Sequence, residues 1–249
     1  MIVIMGSNRD DILYFETILK NKKKDTILGR YEVSIGTIFN QEVLLISEQY
    51  TSLLTGMVLM NIMDNYFVDL VFVVGKCVSV DKRLKCGDIV ISTKIIDANV
   101  NLVSYKDVRL AEIPGFNREF IPQSDLITYL NEGLNKKSYN IAKEATFLSS
   151  DDFSEFNISH IGSSTGIFGN KDDLIVLDFN SSGAALAASL KDVPYISIKV
   201  VERKYEQDES VSRYLKVLEN YSDVGRAVVS TIGDIGRNDI LKGGSGYEG

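Results

Sequence analysis

Tryptophan is absent from these 249 residues, histidine occurs once, cysteine twice and proline three times. Each scarcity removes a class of explanation. Cys77 and Cys86 with a single histidine cannot furnish the ligands of a structural zinc site, so no metal is expected and both thiols read as reduced core groups. No apolar run approaches the about 18 residues of a membrane helix. "MIVIMG", Met1 to Gly6, is shorter than the apolar stretch of a signal peptide and lacks a basic start. The chain is therefore expected to be soluble and cytoplasmic, with no membrane partner. Positive charge is in deficit too: 27 Lys and Arg face 34 Asp and Glu, a net charge of −7, and the basic residues are scattered apart from Lys22, Lys23 and Lys24. Such a surface does not select nucleic acid as its partner.

Linker-like composition is missing as well, because no Pro, Gly or Ser stretch interrupts the apolar runs before residue 242. One domain over residues 1–232 is expected, followed by a tail over 233–249 that is flexible after about residue 242. The tail's "GGSGYEG" lacks the Lys-Ser/Thr of a phosphate loop, and no cofactor is expected.

What the chain does contain is a 45% hydrophobic content arranged in alternating strand-like and helix-like periods. Met1 to Met5 is a continuous apolar run suited to a strand buried on both faces. "NRDDILYFETILKNKK" has Ile12, Phe15, Ile18 and Leu19 at helical spacing, which puts the lysines at 22–24 on the negative end of that helix. "YEVSIGTIFNQEVLLISE" predicts two strands joined around Asn40, and Ser52 to Asn65 a helix whose methionines are core. "VDLVFVVGKC" and "GDIVISTKII" are strands flanking a loop from Val78 to Cys86. A helix capped by Ser124, a strand in "NIAKEATFLSS" and a long closing helix in "SVSRYLKVLENYSDVGRAVVSTIGDI" follow. The alternation predicts an α/β sandwich.

"LIVLDFNSSGAALAASLKDVPYISIKVVERK", Leu174 to Lys204, reads as strand, small-residue helix and strand. Asp178, Phe179 and Asn180 end its first strand, and Glu202 and Arg203 end its second. In open α/β sheets, ligands bind beyond the carboxyl ends of strands.

Four stretches carry a resemblance: "VIMGSNRDDI", "VFVVGKCVSVDKRLKCGDIVIS", "IIDANV" with "IPGF", and "VLDFNSSGAALAASLKDVPYISIKVV". Together they resemble the nucleoside phosphorylase and nucleosidase superfamily, and most of all its 5′-methylthioadenosine/S-adenosylhomocysteine nucleosidases. The resemblance implies a three-layer α/β/α sandwich with a central mixed, partly barrel-like sheet. It also implies a homodimer and a nucleoside-like small-molecule ligand.

In that family a carboxylate activates water, another holds the ribose hydroxyls, and an Asp protonates the departing purine. By resemblance Asp11 takes the water-activating position, one methylene short of the usual Glu. On the residues alone, an exposed acid near a helix N-terminus is an equal reading. Asn180 takes the ribose-binding Glu position and Phe179 the neighbouring Met. Arg203 takes the position of the purine-protonating Asp, with Glu202 beside it. Lys76 stands for a Ser in the glycine turn, Tyr50 is expected to fill part of the pocket, and Val73 replaces the Arg with which phosphorylases hold phosphate. Phe153 matches the base-stacking aromatic, Asp151 the acid two before it, and Val100 and Val103 the residues a neighbouring subunit lends to the 5′-substituent.

Two readings follow. One is a nucleosidase-like protein that binds a purine nucleoside or related ligand and hydrolyses the N-glycosidic bond poorly, with Asp11 as base. Three chemical positions are altered, and each unfit general acid or base costs about 10²-fold or more. The other is an inactive relative that binds a small anion or nucleoside, with Lys76 and Arg203 as the cations, or that partners an active homologue.

Overall fold

The computed structural model describes residues 1–104, 107–135, 142–152, 172–204 and 211–238, without the side chains of 203–204, 211–219 and 237–238. Nine strands form one sheet: β1 (Ile2–Gly6), β2 (Lys20–Ile27), β3 (Tyr31–Ile38), β4 (Gln41–Ile46), β5 (Leu70–Ser79), β6 (Ile89–Asp97), β7 (Lys143–Ser149), β8 (Leu174–Asp178) and β9 (Tyr195–Lys204). The described helices are α1 (Arg9–Ile18), α2 (Ser52–Asn65), α3 (Ser124–Asn135), α4 (Ser181–Leu190) and α5 (Val211–Asn238).

The strand order is β2-β3-β4-β1-β5-β8-β7-β6-β9, and β9 returns to pair with β5. That last pairing closes β5, β8, β7, β6 and β9 into a barrel, with β2, β3, β4 and β1 extending from it as an open wing. β5 and β9 are parallel from Val71↔Tyr195 onward, with a register shift between Cys77 and Val78. The bulge re-aims the strand ends where β5 meets β8, Val78 lying opposite Leu177.

Strand alternation sorts the core into two layers. Ile2, Ile4, Val43, Leu45, Leu70, Phe72 and Val74 pack with α1, α3 and α5. The intervening Val3, Met5, Leu44, Ile46, Val71 and Val73 pack with α2 and α4. Period-2 side-chain alternation with apolar residues on both faces produces a sheet covered on both sides. The expected three-layer arrangement with a partly barrel-like mixed sheet is the one found.

One boundary differs from the sequence reading. Lys22, Lys23 and Lys24 do not end a helix: α1 stops at Ile18, Leu19 adopts an extended backbone, and Lys20–Ile27 becomes an edge strand antiparallel to β3. The open edge of β3 needs hydrogen-bond partners, and that requirement outweighs the helical period of the preceding residues. Lysines on the outermost strand also discourage pairing with another chain. Lys22 contacts Glu16 at 3.2 Å and Lys24 contacts Glu32 at 2.6 Å. At the other end, α5 runs through Asn238, and the stretch after 242 lies outside the described residues.

α2 and α4 cross at two glycines. A Cβ on Gly183 would lie 1.8 Å from the Ser52 carbonyl oxygen, and one on Gly56 would lie 3.2 Å from the Gly183 carbonyl oxygen. Because backbone is the obstacle, Gly183→Ala has to push the helices apart. We expect it to cost about 3 kcal/mol, the upper range for overpacking, measured by urea denaturation. An unchanged midpoint would show that the crossing yields freely.

Candidate functional site

β1, β5 and β9 run parallel, so their carboxyl ends lie together, and antiparallel β8 brings its own end against the outer part of β5. A cavity of about 130 Å³ lies there, lined by Ser7 and Asn8 after β1, Lys76, Cys77 and Val78 of β5, Leu177, Asp178 and Phe179 of β8, and Glu202 of β9. This is small beside the roughly 300–1,000 Å³ of ordinary ligand pockets.

Lys76 and Glu202 form an ion pair on the cavity wall, Nζ to Oε1 at 3.0 Å, both side chains partly open to solvent. The Lys76 ammonium also sits 5.9 Å from the centre of the Tyr221 ring, supplied by α5. Cys77 lies beside it with its Sγ 3.6 Å from the Val200 carbonyl oxygen. Burial pushes the Cys77 thiol up, so it stays protonated.

Behind the lining stands Asp11. It is buried, not exposed, which removes the reading of a solvated acid near a helix start. Its Oδ2 accepts from the Asn8 backbone N–H at 2.8 Å and its Oδ1 accepts from the Tyr221 hydroxyl. Two glycines make the space: a Cβ on Gly6 would lie 2.7 Å from the Asp11 Cβ, and one on Gly75 would lie 2.9 Å from Oδ2. Gly75 also has φ +144°, a backbone that side-chain-bearing residues rarely adopt. Burial drives the Asp11 carboxyl above its ordinary range, opposed by the hydrogen bonds from Tyr221 and Asn8 and by the charges of Lys199 and Lys76. Tyr221 is itself held well above its usual value, chiefly by burial and then by the Asp11 charge, so it remains the donor.

Asn180 meets a partner that the sequence reading missed. Lys199 of β9 is wholly buried, with its Nζ 2.6 Å from Asp178 Oδ2 and 2.6 Å from Asn180 Oδ1. Asp178 also accepts from the Ser149 hydroxyl at 2.5 Å, from the Ser181 backbone N–H at 3.3 Å and from the Ser181 hydroxyl. The Ser197 hydroxyl donates to Ser181 at 2.8 Å. Ser52 Oγ donates to the Phe179 carbonyl at 2.9 Å, which ties the Asp178–Asn180 turn to the start of α2. Four buried side-chain polar atoms lack hydrogen-bond partners among the described residues, and two of them are here: Asn180 Nδ2, and Ser7 Oγ on the cavity wall.

Lys76, Phe179 and Glu202 line the cavity, and Asp11 and Asn180 stand in the buried network around it. Asp151, Val100 and Val103 are not part of its lining. Asp151 instead accepts from the Ser52 backbone N–H at 3.0 Å, at the N-terminus of α2. Tyr50 is half-exposed and does not fill the cavity. Val73 is buried against α2 and α4. Arg203 is placed by its backbone opposite Val78, its side chain outside the description, and Phe153 lies outside the described residues altogether. The signal for Lys199 was present in "YISIKVV", a lysine inside an otherwise apolar strand, since lysine is almost never fully buried unless paired. Tyr221 gave no such signal, being one of several polar residues on a long amphipathic helix.

An α/β/α sandwich whose sheet closes partly into a barrel, with a small cavity of mixed lining at the strand ends, defines the class. Residues 2–232 match the family profile described as the Phosphorylase superfamily, and the chain belongs to that superfamily. It is 24% identical over 186 residues to a 5′-methylthioadenosine/S-adenosylhomocysteine nucleosidase of Buchnera aphidicola, covering 74% of this chain and 77% of the relative. Its fold matches the nucleosidase of that name from Colwellia psychrerythraea, solved in complex with adenine, with a TM-score of 0.79 at 19% identity over 93% of this chain and 94% of the other. It also matches the futalosine hydrolase of Helicobacter pylori, with a TM-score of 0.80 at 16% identity over 94% and 97% of the two chains.

The raised Asp11 carboxyl makes a pH prediction. A folded-state value above the unfolded one favours folding while the group is protonated, and that contribution is lost as pH rises from the ordinary carboxylate range through the raised value. Asp11→Asn removes the titration. Urea unfolding at several pH values from about 4 upward is expected to show the variant gaining on the wild type as pH rises. A constant difference, or one moving the other way, would mean that burial does not dominate at Asp11.

Proposed function

We propose that this chain binds a purine nucleoside or a closely related small ligand where β1, β5, β8 and β9 end, and that its N-glycosidic hydrolysis is strongly impaired. The observation carrying the reading is the state of Asn180. A carboxylate at that position would face the positive charge that develops on the sugar as the bond breaks. The amide brings no charge, and its oxygen is occupied by the buried Lys199 ammonium. Asp11 keeps the surroundings of a general base, with burial raising its carboxyl toward a useful range. The altered acid position at Arg203 supplies no proton at neutral pH.

Charge matching favours a neutral ligand over an anion. Lys76 is answered by Glu202 and Lys199 by Asp178, so both lysines near the cavity are already paired. Phosphorolysis and simple anion binding lose the support of Lys76 on that count.

Base release from a panel of purine nucleosides and methylthioadenosine tests the reading. From an ordinary turnover of about 10 s⁻¹, two unfit groups at about 10²-fold each leave a rate on the order of 10⁻³ s⁻¹ or slower. Thermal shifts with the same compounds are expected to show binding. Adenine release at about 1 s⁻¹ would overturn the impairment.

A homodimer belongs to the same proposal. Tyr50, Leu53 and Met57 are 52%, 69% and 56% exposed along one end of α2, a contiguous apolar face on a helix otherwise packed into the core. Self-association through an isologous contact would cover it. Sedimentation at micromolar protein is expected to give twice the chain mass, and Leu53→Glu with Met57→Glu the monomer. A monomeric wild type would remove this part.

A further inference from the structure

We infer that Lys199 fixes the Asn180 amide so that the site presents an N–H donor to the ligand's sugar, making this a subsite that reads acceptor oxygens and tolerates capped hydroxyls. The inference rests on the proposal that the cavity region takes a nucleoside. An amide is chemically two-sided, and its orientation is decided by its neighbours. Here the neighbour is an ammonium, which can only donate, at 2.6 Å from the amide oxygen. The reverse orientation would set two donors against each other. Lys199 is held by Asp178 at 2.6 Å, and Asp178 by hydroxyls of Ser149 and Ser181, so the ammonium has no free path to another position.

The consequence falls on Asn180 Nδ2. It is wholly buried and has no acceptor among the described residues, and it follows in sequence Asp178 and Phe179, which line the cavity. An unanswered buried donor is a standing cost that a ligand acceptor relieves. Ser7 Oγ, likewise buried and unanswered, lines the cavity itself and adds a second polar group for the ligand. A carboxylate at position 180 would accept from hydroxyls and would repel an ether oxygen. The clamped amide does the opposite: a free hydroxyl and an alkylated one both offer it a lone pair. The ligand class is therefore a purine nucleoside whose 2′ or 3′ oxygen carries a substituent or serves only as acceptor. Lys199 is the positioning residue and Asn180 the contact.

The test compares adenosine with 2′-O-methyl- and 3′-O-methyladenosine by calorimetry on the wild type and on Asn180→Asp, a nearly isosteric change that reverses the polarity of the contact. For at least one of the two ethers the wild type is expected to bind the ether and the parent within about threefold. Asn180→Asp is expected to shift the ratio toward the parent by about 10-fold or more, the scale of a hydrogen bond to a charged group. Steric effects of the methyl group are common to both proteins and cancel in the ratio. Asn180→Leu, which removes the donor without adding charge, should weaken both ligands alike. Lys199→Met frees the amide to turn its oxygen outward and should move the ratio toward the parent, a change that loss of stability alone does not produce. The same ratios in wild type and Asn180→Asp would overturn the inference while leaving nucleoside binding intact. Failure of adenosine itself and of the other purine nucleosides to bind would overturn the proposed function and this inference together.

Discussion

A lysine ammonium with no exposed surface has to be answered by charge and by hydrogen bonds, and the answer given to Lys199 organises the functional end of this protein. Its two contacts, Asp178 and Asn180, come from the end of β8, and its own strand is β9. Those strands flank β5 in the barrel, and the pair can form only once β5 has taken both as neighbours. Asp178 then draws in Ser149 from β7 and Ser181 from α4, while Ser197 of β9 completes the ring of hydroxyls. The polar network is dense because desolvating an ion pair costs several kcal/mol per ion unless geometry and extra hydrogen bonds offset it.

Asp11 is answered differently. Its carboxylate is placed by one end of α1, accommodated by the missing side chains of Gly6 and Gly75, and capped by a hydroxyl from α5. The Tyr221 hydroxyl lies 210 positions from Asp11 along the chain, yet it decides how one carboxylate oxygen is used. The same ring lies under the Lys76 ammonium, which in turn pairs with Glu202. Three charged side chains and one tyrosine thus form a chain of contacts from the core to the cavity wall. Its net effect is a pocket in which Lys76 is paired with Glu202, as Lys199 is with Asp178 behind it.

The sequence alone carried the layer architecture. Apolar runs at β1, β5 and β9 and the small-residue helix α4 followed the two elementary periods, and local periodicity is a property of consecutive residues. Asp178, Phe179 and Asn180 were legible as a strand end because an apolar run stops there, and strand ends are where ligands meet such sheets. The lysines at 22–24 were misread for a related reason: helical spacing upstream says nothing about an unpaired strand edge arriving from residues 31–38.

What the tertiary structure alone decided is the meaning of each polar residue at those strand ends. Whether Asp11 is solvated or buried depends on two glycines, one of them in another strand, and on a hydroxyl 210 positions along the chain. Whether Asn180 offers an oxygen or an N–H depends on a lysine 19 positions away on the next strand of its own unit. Hydrogen-bond polarity and protonation are set by the groups that close around a side chain at a few ångströms, and closure of β5 against β9 is what assembles those groups.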